Sequence, residues 1–287
     1  MSDAFKVACV QLNAGRDLAP NIAAASALIR EAEAAGAQFI LTPENTGWIE
    51  PKRPLQLEKA KPEAEHPGVP AYQALAAELK VWLLIGSLSI KLDANTCANR
   101  SFLFDPQGRI AARYDKIHMF DVDLANGETY RESATFRPGE RAVTADLPWG
   151  RVGLTVCYDL RFGYLYRALA QAGASFLTVP AAFTRPTGQA HWHVLLRARA
   201  IETGCYVFAP AQCGEHAEGR KTYGHSLIVA PWGEVLADGG EEVGIIYADV
   251  DPAKVTEARN MVPALRHDRP FTGPELPAVP VRKAAGG

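Results

Sequence analysis

The chain has 287 residues, 48% hydrophobic and 22% charged, with 30 Lys+Arg against 32 Asp+Glu for a net charge of -2. That composition is ample for a large buried core, and a near balance of charge without a long basic run excludes nucleic acid or an anionic membrane surface as the expected partner. Five cysteines, at 9, 97, 157, 205 and 213, are odd in number and lack paired CxxC spacing, which argues against a disulfide framework.

Phe5 to Leu12 reads as a strand entered directly, without a basic region followed by a long apolar one. No secretory signal is therefore expected, and a reducing cytoplasm follows as the expected location. No apolar run approaches the ~20 residues that span a bilayer. A helix from Asn21 to Ala35, stopped by Gly36, leads to strand Gln38 to Thr42. Helix Ala71 to Lys80 leads to strand Val81 to Ile90, and a hairpin spans Asn99 to Tyr114, turned at Pro106-Gln107-Gly108. Strand pattern Val152 to Val156 meets helix pattern Leu165 to Ala172, followed by strand Phe176 to Pro180 and helix Gln189 to Thr203. Strands at Cys205 to Gln212, Ser226 to Ala230, Glu234 to Ala237 and Gly244 to Val250 precede a last helix, Pro252 to Met261. Helices interleaved with strands and hairpins imply an α/β fold with mixed sheets. No linker or composition shift divides residues 1–270, which read as one domain, before a Pro-rich tail at 271–287.

Three chemistry-bearing residues fall at the ends of these strands. Cys157 sits where a strand pattern meets a helix start, a turn that projects a thiol from the sheet beside free backbone N–H groups. Unpaired cysteine is also a common buried hydrophobe, so the turn alone does not decide. Glu44 emerges after Gln38 to Thr42, and Lys116 after Arg109 to Tyr114. Most such charges are solvated loop residues. These two keep apolar company: Glu44 lies between an apolar run and Trp48, and Lys116 precedes Ile117, Met119 and Phe120.

The segments TPEN around Glu44, YDKIH around Lys116 and VCYDLRF around Cys157 resemble the nitrilase superfamily of carbon-nitrogen hydrolases, which use a Glu-Lys-Cys triad in this order. TGQAHWHVLLRARAIET, QCGEHAEGRKTYGHS and VAPWGEV are similar to the branch that holds the omega-amidases and deaminated glutathione amidases, most of all the latter. The resemblance implies a four-layer α-β-β-α sandwich with mixed sheets and a homodimer or larger assembly; no cofactor and no metal are expected, because side chains and a backbone N–H fill every catalytic role. It also implies that Glu132 is a fourth, supporting carboxylate; spacing alone does not separate it from Glu128 or Glu140.

The residue types suit that chemistry. An amide carbonyl is a poor electrophile, and a thiol with a free pKa near ~8.5 needs activation. Glu44 can accept the Cys157 proton and later activate water, a role expected to need a carboxyl whose pKa is raised by burial. Lys116 can favour thiolate and, with the backbone N–H of Tyr158, stabilise the oxyanion. Arg161, four residues after Cys157, could take a substrate carboxylate bidentately or form a structural pair with Asp159 or Glu44. In the resembled branch the loop after strand Phe176 to Pro180 lines the substrate pocket, making Phe183 and Thr187 candidate contacts. The expected substrate is a small-molecule amide of a carboxylate-bearing 2-oxo acid. One departure stands out, Gly163-Tyr164 where the family usually has Pro-Glu.

The histidines have plainer readings. His191 and His193 lie at i, i+2, where helical side chains diverge by roughly 200°, so a metal site through that pair is not expected. Arg197 and Arg199 read as structural ion-pair partners, and Cys205 and Cys213 as core or pocket wall. A non-catalytic metabolite-binding protein of the same fold is the rival from another class, opposed by all three triad positions being filled.

Overall fold

Period-two alternation in the first strand already calls for two packed faces. Val7 and Cys9 point into one apolar cluster while Ala8 and Val10 point into another. In the computed structural model, which describes residues 4–125 and 127–274, those clusters are the two sides of a six-stranded sheet. Its order is Gly244–Val250, Phe5–Gln11, Phe39–Leu41, Trp82–Lys91, Cys97–Phe104, Ile110–Asp115, parallel in the centre and antiparallel on both flanks. A second six-stranded sheet repeats the plan, in the order Val235–Asp238, Leu227–Val229, Tyr206–Ala209, Ala174–Thr178, Gly150–Leu154, Val143–Leu147.

The sheets face each other through aromatic contacts such as Phe5 against Phe176 at 5.4 Å and Phe39 against Phe208 at 6.1 Å. Helices Leu18–Ala34 and Gly68–Leu79 cover the outer face of the first sheet with Ala25, Ile29, Tyr72 and Leu75. Helices Gly163–Gln171 and Arg185–Thr203 cover the second with Tyr166, Leu169, Trp192 and Leu196. The result is the expected four-layer α-β-β-α sandwich. Of the tail at 271–287, residues 275–287 lie outside the described residues.

Element boundaries moved where proline and glycine chemistry was misjudged. The first helix begins at Leu18, so that Pro20 sits in its first turn, and the long helix begins at Arg185 with Pro186 in its first turn, four residues before the expected start. The strand expected over Cys205 to Gln212 is regular only over Tyr206–Ala209, ending before Pro210. The helix Arg53–Lys59 and the ribbons Asp121–Asp123 with Thr129–Arg131 and Cys213–Glu215 with Lys221–Tyr223 were missed. Their short polar strands carry too little alternation to read.

Candidate active site

Close approach of the two sheets brings the strand ends together. Gly86 sits where a Cβ would lie 2.2 Å from the Thr42 carbonyl and 2.5 Å from Pro180 Cβ, so only glycine lets the Glu44 loop and the strand before Ala181 meet. Glu44 emerges buried at that junction. Cys157 opens the short 3-10 turn Cys157–Arg161 with a left-handed φ of 49°, a conformation that costs a non-glycine residue free energy and persists only when pinned. Its N–H donates to the Pro180 carbonyl at 2.9 Å, and Asp159 accepts the Val156 N–H at 2.8 Å. Asp159 also accepts the Tyr114 hydroxyl at 2.7 Å and the His118 N–H at 3.0 Å, so it ties the cysteine turn to both sides of Lys116. Asp159 is thus the brace between the sheets, and the expected Arg161–Asp159 or Arg161–Glu44 pair does not form.

The charged groups form a dense floor. Lys116, 2% exposed, donates to Glu44 Oε1 at 2.9 Å and to both oxygens of Glu132 at 3.0 and 2.8 Å. Glu44 Oε2 accepts the Ala182 N–H at 2.9 Å, and Glu132 Oε2 accepts the Phe120 N–H at 2.7 Å. Asn99, which sequence reasoning passed over as a hairpin residue, donates from one amide nitrogen to Glu44 at 2.9 Å and to Glu132 at 3.1 Å. Its Oδ1 is buried without a partner among the described residues. Nothing in the local pattern marks it; only its register opposite the Lys116 strand could have.

Electrostatics set the resting protonation. Burial is the largest influence on Glu44 and pushes its carboxyl up, but the Lys116 charge and hydrogen bond, a Cys157 hydrogen bond and the Arg220 charge outweigh it and hold the group below its ordinary value. This corrects the expectation of a raised Glu44. Burial, then the Glu44 charge, push the Cys157 thiol well above its ordinary value against the pull of Lys116. Burial opposes the Lys116 ammonium, yet Glu132 and Glu44 keep its pKa well above the usual lysine value. At rest the floor therefore holds a neutral thiol beside a carboxylate base, with a charged lysine next to both.

A cavity of about 440 Å³ opens above this floor, lined by Glu44, Lys116, Glu132, Cys157, Tyr158, Phe183 and Thr187 and by Phe120, Tyr130 and Arg220. That volume suits a small ligand. Phe183 packs on Trp192 at 5.0 Å, and the Thr187 hydroxyl bonds to that of Thr184 at 2.6 Å, within the first turn of its helix. Tyr158, second residue of its turn, presents a backbone N–H that the turn itself leaves without an acceptor. Arg161 is not among the lining residues. Its guanidinium lies over the Tyr158 and Phe183 rings at 5.8 and 5.4 Å, behind the wall, and reaches His191 at 3.3 Å. Arg220 is the cation that sequence reasoning missed. It donates to the Ala182 carbonyl at 3.0 Å, stands over Tyr130 at 5.7 Å, and keeps a buried Nε without a partner among the described residues. Gly163 starts a helix beside the buried Arg199, whose Nη1 would lie 3.2 Å from an added Cβ. Exposed Tyr164 bonds to His118 outside the cavity. Arg199 pairs with Glu202 and the Leu160 carbonyl, as expected of a structural residue, whereas Arg197 bonds a carbonyl, that of Gly233, and no carboxylate among the described residues.

The sequence profile of the carbon-nitrogen hydrolases matches residues 6–260. The chain belongs to that family, within the nitrilase superfamily. It is 40% identical over 266 residues to the deaminated glutathione amidase of Yersinia enterocolitica, covering 92% of each chain. It is 37% identical over 267 residues to omega-amidase NIT2 of Homo sapiens, covering 92% of this chain and 95% of the relative. The crystal structure of the C. elegans NitFhit protein superposes with a TM-score of 0.87 at 36% identity, over 93% of this chain and 66% of that one. The protein is a hydrolase of carbon-nitrogen bonds other than peptide bonds. Among the described residues no helix is long and apolar enough to cross a membrane.

Proposed function

We propose that residues 1–270 act as one cysteine-dependent amidase that hydrolyses 2-oxoglutaryl-Cys-Gly to 2-oxoglutarate and Cys-Gly through a thioester on Cys157, in a cytoplasmic homodimer that needs no cofactor. In the first half-reaction Glu44 takes the thiol proton as Cys157 Sγ attacks the amide carbonyl. The oxyanion is met by Lys116 Nζ and the Tyr158 N–H. Collapse expels the amine, which leaves with the proton held by Glu44. In the second half Glu44 removes a proton from water, the hydroxide adds to the thioester, and the acid departs as Cys157 recovers its proton. Glu132 and Asn99 position Lys116 and Glu44.

The observation that carries this reading is the single hydrogen-bonded unit of Glu44, Lys116 and Glu132 under a cavity that Cys157 also lines. A thiol that is neutral at rest beside a carboxylate suits proton transfer during attack, rather than a standing thiolate. Two carboxylates against one ammonium leave the floor one negative charge in excess, and Arg220 supplies the balancing cation at its edge. A substrate carboxylate on Arg220 then fits an acidic acyl or leaving group. Assignment of that carboxylate to Arg161 loses support from its packing behind Phe183. Phe183 and Thr187 shape the wall the acyl chain passes. A dimer is supported by Val194 and Ile201, seven residues apart on one helix face and 67% and 56% exposed.

Omega-amidase action on 2-oxoglutaramate is the second reading, favoured by the 37% identity to the human enzyme. Both substrates deliver the same 2-oxoglutaryl group, so two measurements are needed. Turnover with added hydroxylamine tests the thioester, since a thioester on Cys157 passes its acyl group to that amine, and absence of the hydroxamate with either substrate argues against it. The ratio of kcat/KM for 2-oxoglutaryl-Cys-Gly and 2-oxoglutaramate tests the leaving group. A ratio below one rejects the deaminated glutathione reading in favour of the omega-amidase one. No turnover of any amide leaves the non-catalytic rival standing.

A further inference from the structure

His191 and His193, two residues apart on their helix, turn to different partners. His191 meets Arg161, while His193 Nε2 meets Asp238 Oδ2 at 3.0 Å. The second imidazole comes from elsewhere: His225 Nδ1 meets the other oxygen, Asp238 Oδ1, at 2.9 Å. The three side chains belong to helix Arg185–Thr203, the strap before strand Leu227–Val229, and the end of strand Val235–Asp238. Their ligating atoms all lie within 4.8 Å of one another.

This cluster is built rather than casual. His225 is held at a left-handed φ of 53°, pinned by its N–H to the Gly240 carbonyl at 2.6 Å and by its carbonyl accepting Trp192 Nε1 at 2.7 Å. Its ring stacks on Tyr223 at 4.4 Å, and Asp238 Oδ1 is fixed by the Gly240 N–H at 2.9 Å. A tetrahedral zinc with ligand bonds near ~2.0–2.2 Å separates its donor atoms by roughly 3.3–3.5 Å. The contacts of 3.0 and 2.9 Å, one to each Asp238 oxygen, open by a few tenths of an ångström around such an ion, and the imidazole nitrogens, within 4.8 Å of each other, come into the same sphere by side-chain rotation. Side-chain exposures of 33%, 21% and 36% for His193, His225 and Asp238 leave a route in and room for water as a fourth ligand. Two imidazoles and one carboxylate are the donor set of borderline transition-metal dications, and not of calcium or magnesium.

We propose that His193, His225 and Asp238 form a binding site for a zinc-class dication, outside the Cys157 cavity and independent of its chemistry. None of the three residues lines that cavity. The test is calorimetric titration of zinc into the full chain carrying Cys157→Ala, which removes the cavity thiol as a competing ligand. One equivalent of zinc is expected to bind, at least tenfold more weakly when His193→Gln or Asp238→Asn is added. Cobalt in place of zinc should give the intense visible absorption of a tetrahedral site, lost in both variants. Thermal melting without metal verifies that each variant is folded, and His193→Gln with Cys157 restored should turn over substrate at the parent rate. Absence of zinc binding to the Cys157→Ala protein, or parental affinity in either folded variant, overturns the site.

Discussion

The floor of the cavity and its rim are built on opposite plans. Glu44, Lys116 and Asn99 are 2–3% exposed and rise from strand ends or strands of the first sheet, where both carboxylates and the ammonium are saturated with donors and acceptors. Around the rim, Arg53, Arg131 and Arg220 come from a short helix and two small ribbons. Arg53 and Arg131 spend their guanidinium groups on the Ala134 and Asn95 carbonyls and on Asp123, while Arg220 retains an unused donor. The rigid floor therefore carries bond chemistry that is the same for every amide, and the rim carries the choice among amides.

The sharpest way to break this division is to remove the nucleophile. Cys157→Ala should lower kcat/KM by at least ~10⁴-fold for every amide, since no acyl-enzyme can form. The backbone pins at Pro180 and Asp159 do not involve the thiol, so the melting temperature should stay near that of the parent protein. Turnover within tenfold of parental would place the chemistry elsewhere.

Next in size is Glu132→Gln, which leaves Lys116 with one carboxylate in place of two. The expected loss is ~10²–10³-fold in kcat with KM nearly constant, because the oxyanion is met only in the transition state. A KM effect of equal size would make Glu132 a rim residue by function. The pH profile of kcat/KM tests the same unit. Glu44 is held below its ordinary value, so the carboxylate base persists above that lowered pKa and is lost as pH falls through it. The acid limb for the parent should therefore fall below the ordinary glutamate range, and a limb near neutrality would mean that burial wins at Glu44 after all.

The division also governs what could be read from the chain. Glu44 and Cys157 each end an apolar strand pattern and Lys116 ends the second arm of a hairpin turned at Pro106-Gln107-Gly108, so strand and turn signals placed them, and their motifs named the family. Glu132 needed the resemblance, because it sits in a 3-10 turn after a three-residue strand with no alternation to count. Asn99 was invisible, since its role arises from antiparallel register and not from its own neighbours. Asp159 was visible but misassigned, because sequence proximity suggested Arg161 while the fold offered Tyr114 and His118. Arg220 lies in a polar ribbon that reads as solvated loop, and its approach to Glu44 exists only once the two sheets are packed.

A smaller effect separates the rim from the floor. Arg220→Met should reduce kcat/KM for amides bearing a carboxylate by ~10–100-fold, the loss of one charge-assisted pair, and act mainly through KM. An uncharged short amide should lose severalfold at most, through the weaker positive charge beside Glu44. Equal losses on both classes would return Arg220 to the floor as a support for Ala182.

The smallest change is expected at Arg161, where the sequence and the packing disagree. Proximity to Cys157 leaves open a carboxylate clamp or a structural pair with Asp159 or Glu44; the clamp requires a selective ~10–100-fold loss on charged amides in Arg161→Met and partial rescue by lysine, whose ammonium lacks the planar fork. The guanidinium instead covers the Tyr158 and Phe183 rings at 5.8 and 5.4 Å, contacts worth about 0.5–2 kcal/mol through cation–π attraction. Methionine keeps most of the apolar coverage and loses the charge, so the wall should loosen slightly for every substrate alike. Steady-state kinetics of Arg161→Met should therefore show losses of no more than about tenfold, equal on 2-oxoglutaramate and on an uncharged short amide. A selective loss on the charged amide alone would show that Arg161 swings from behind Phe183 when substrate arrives, and the carboxylate would then belong to both arginines.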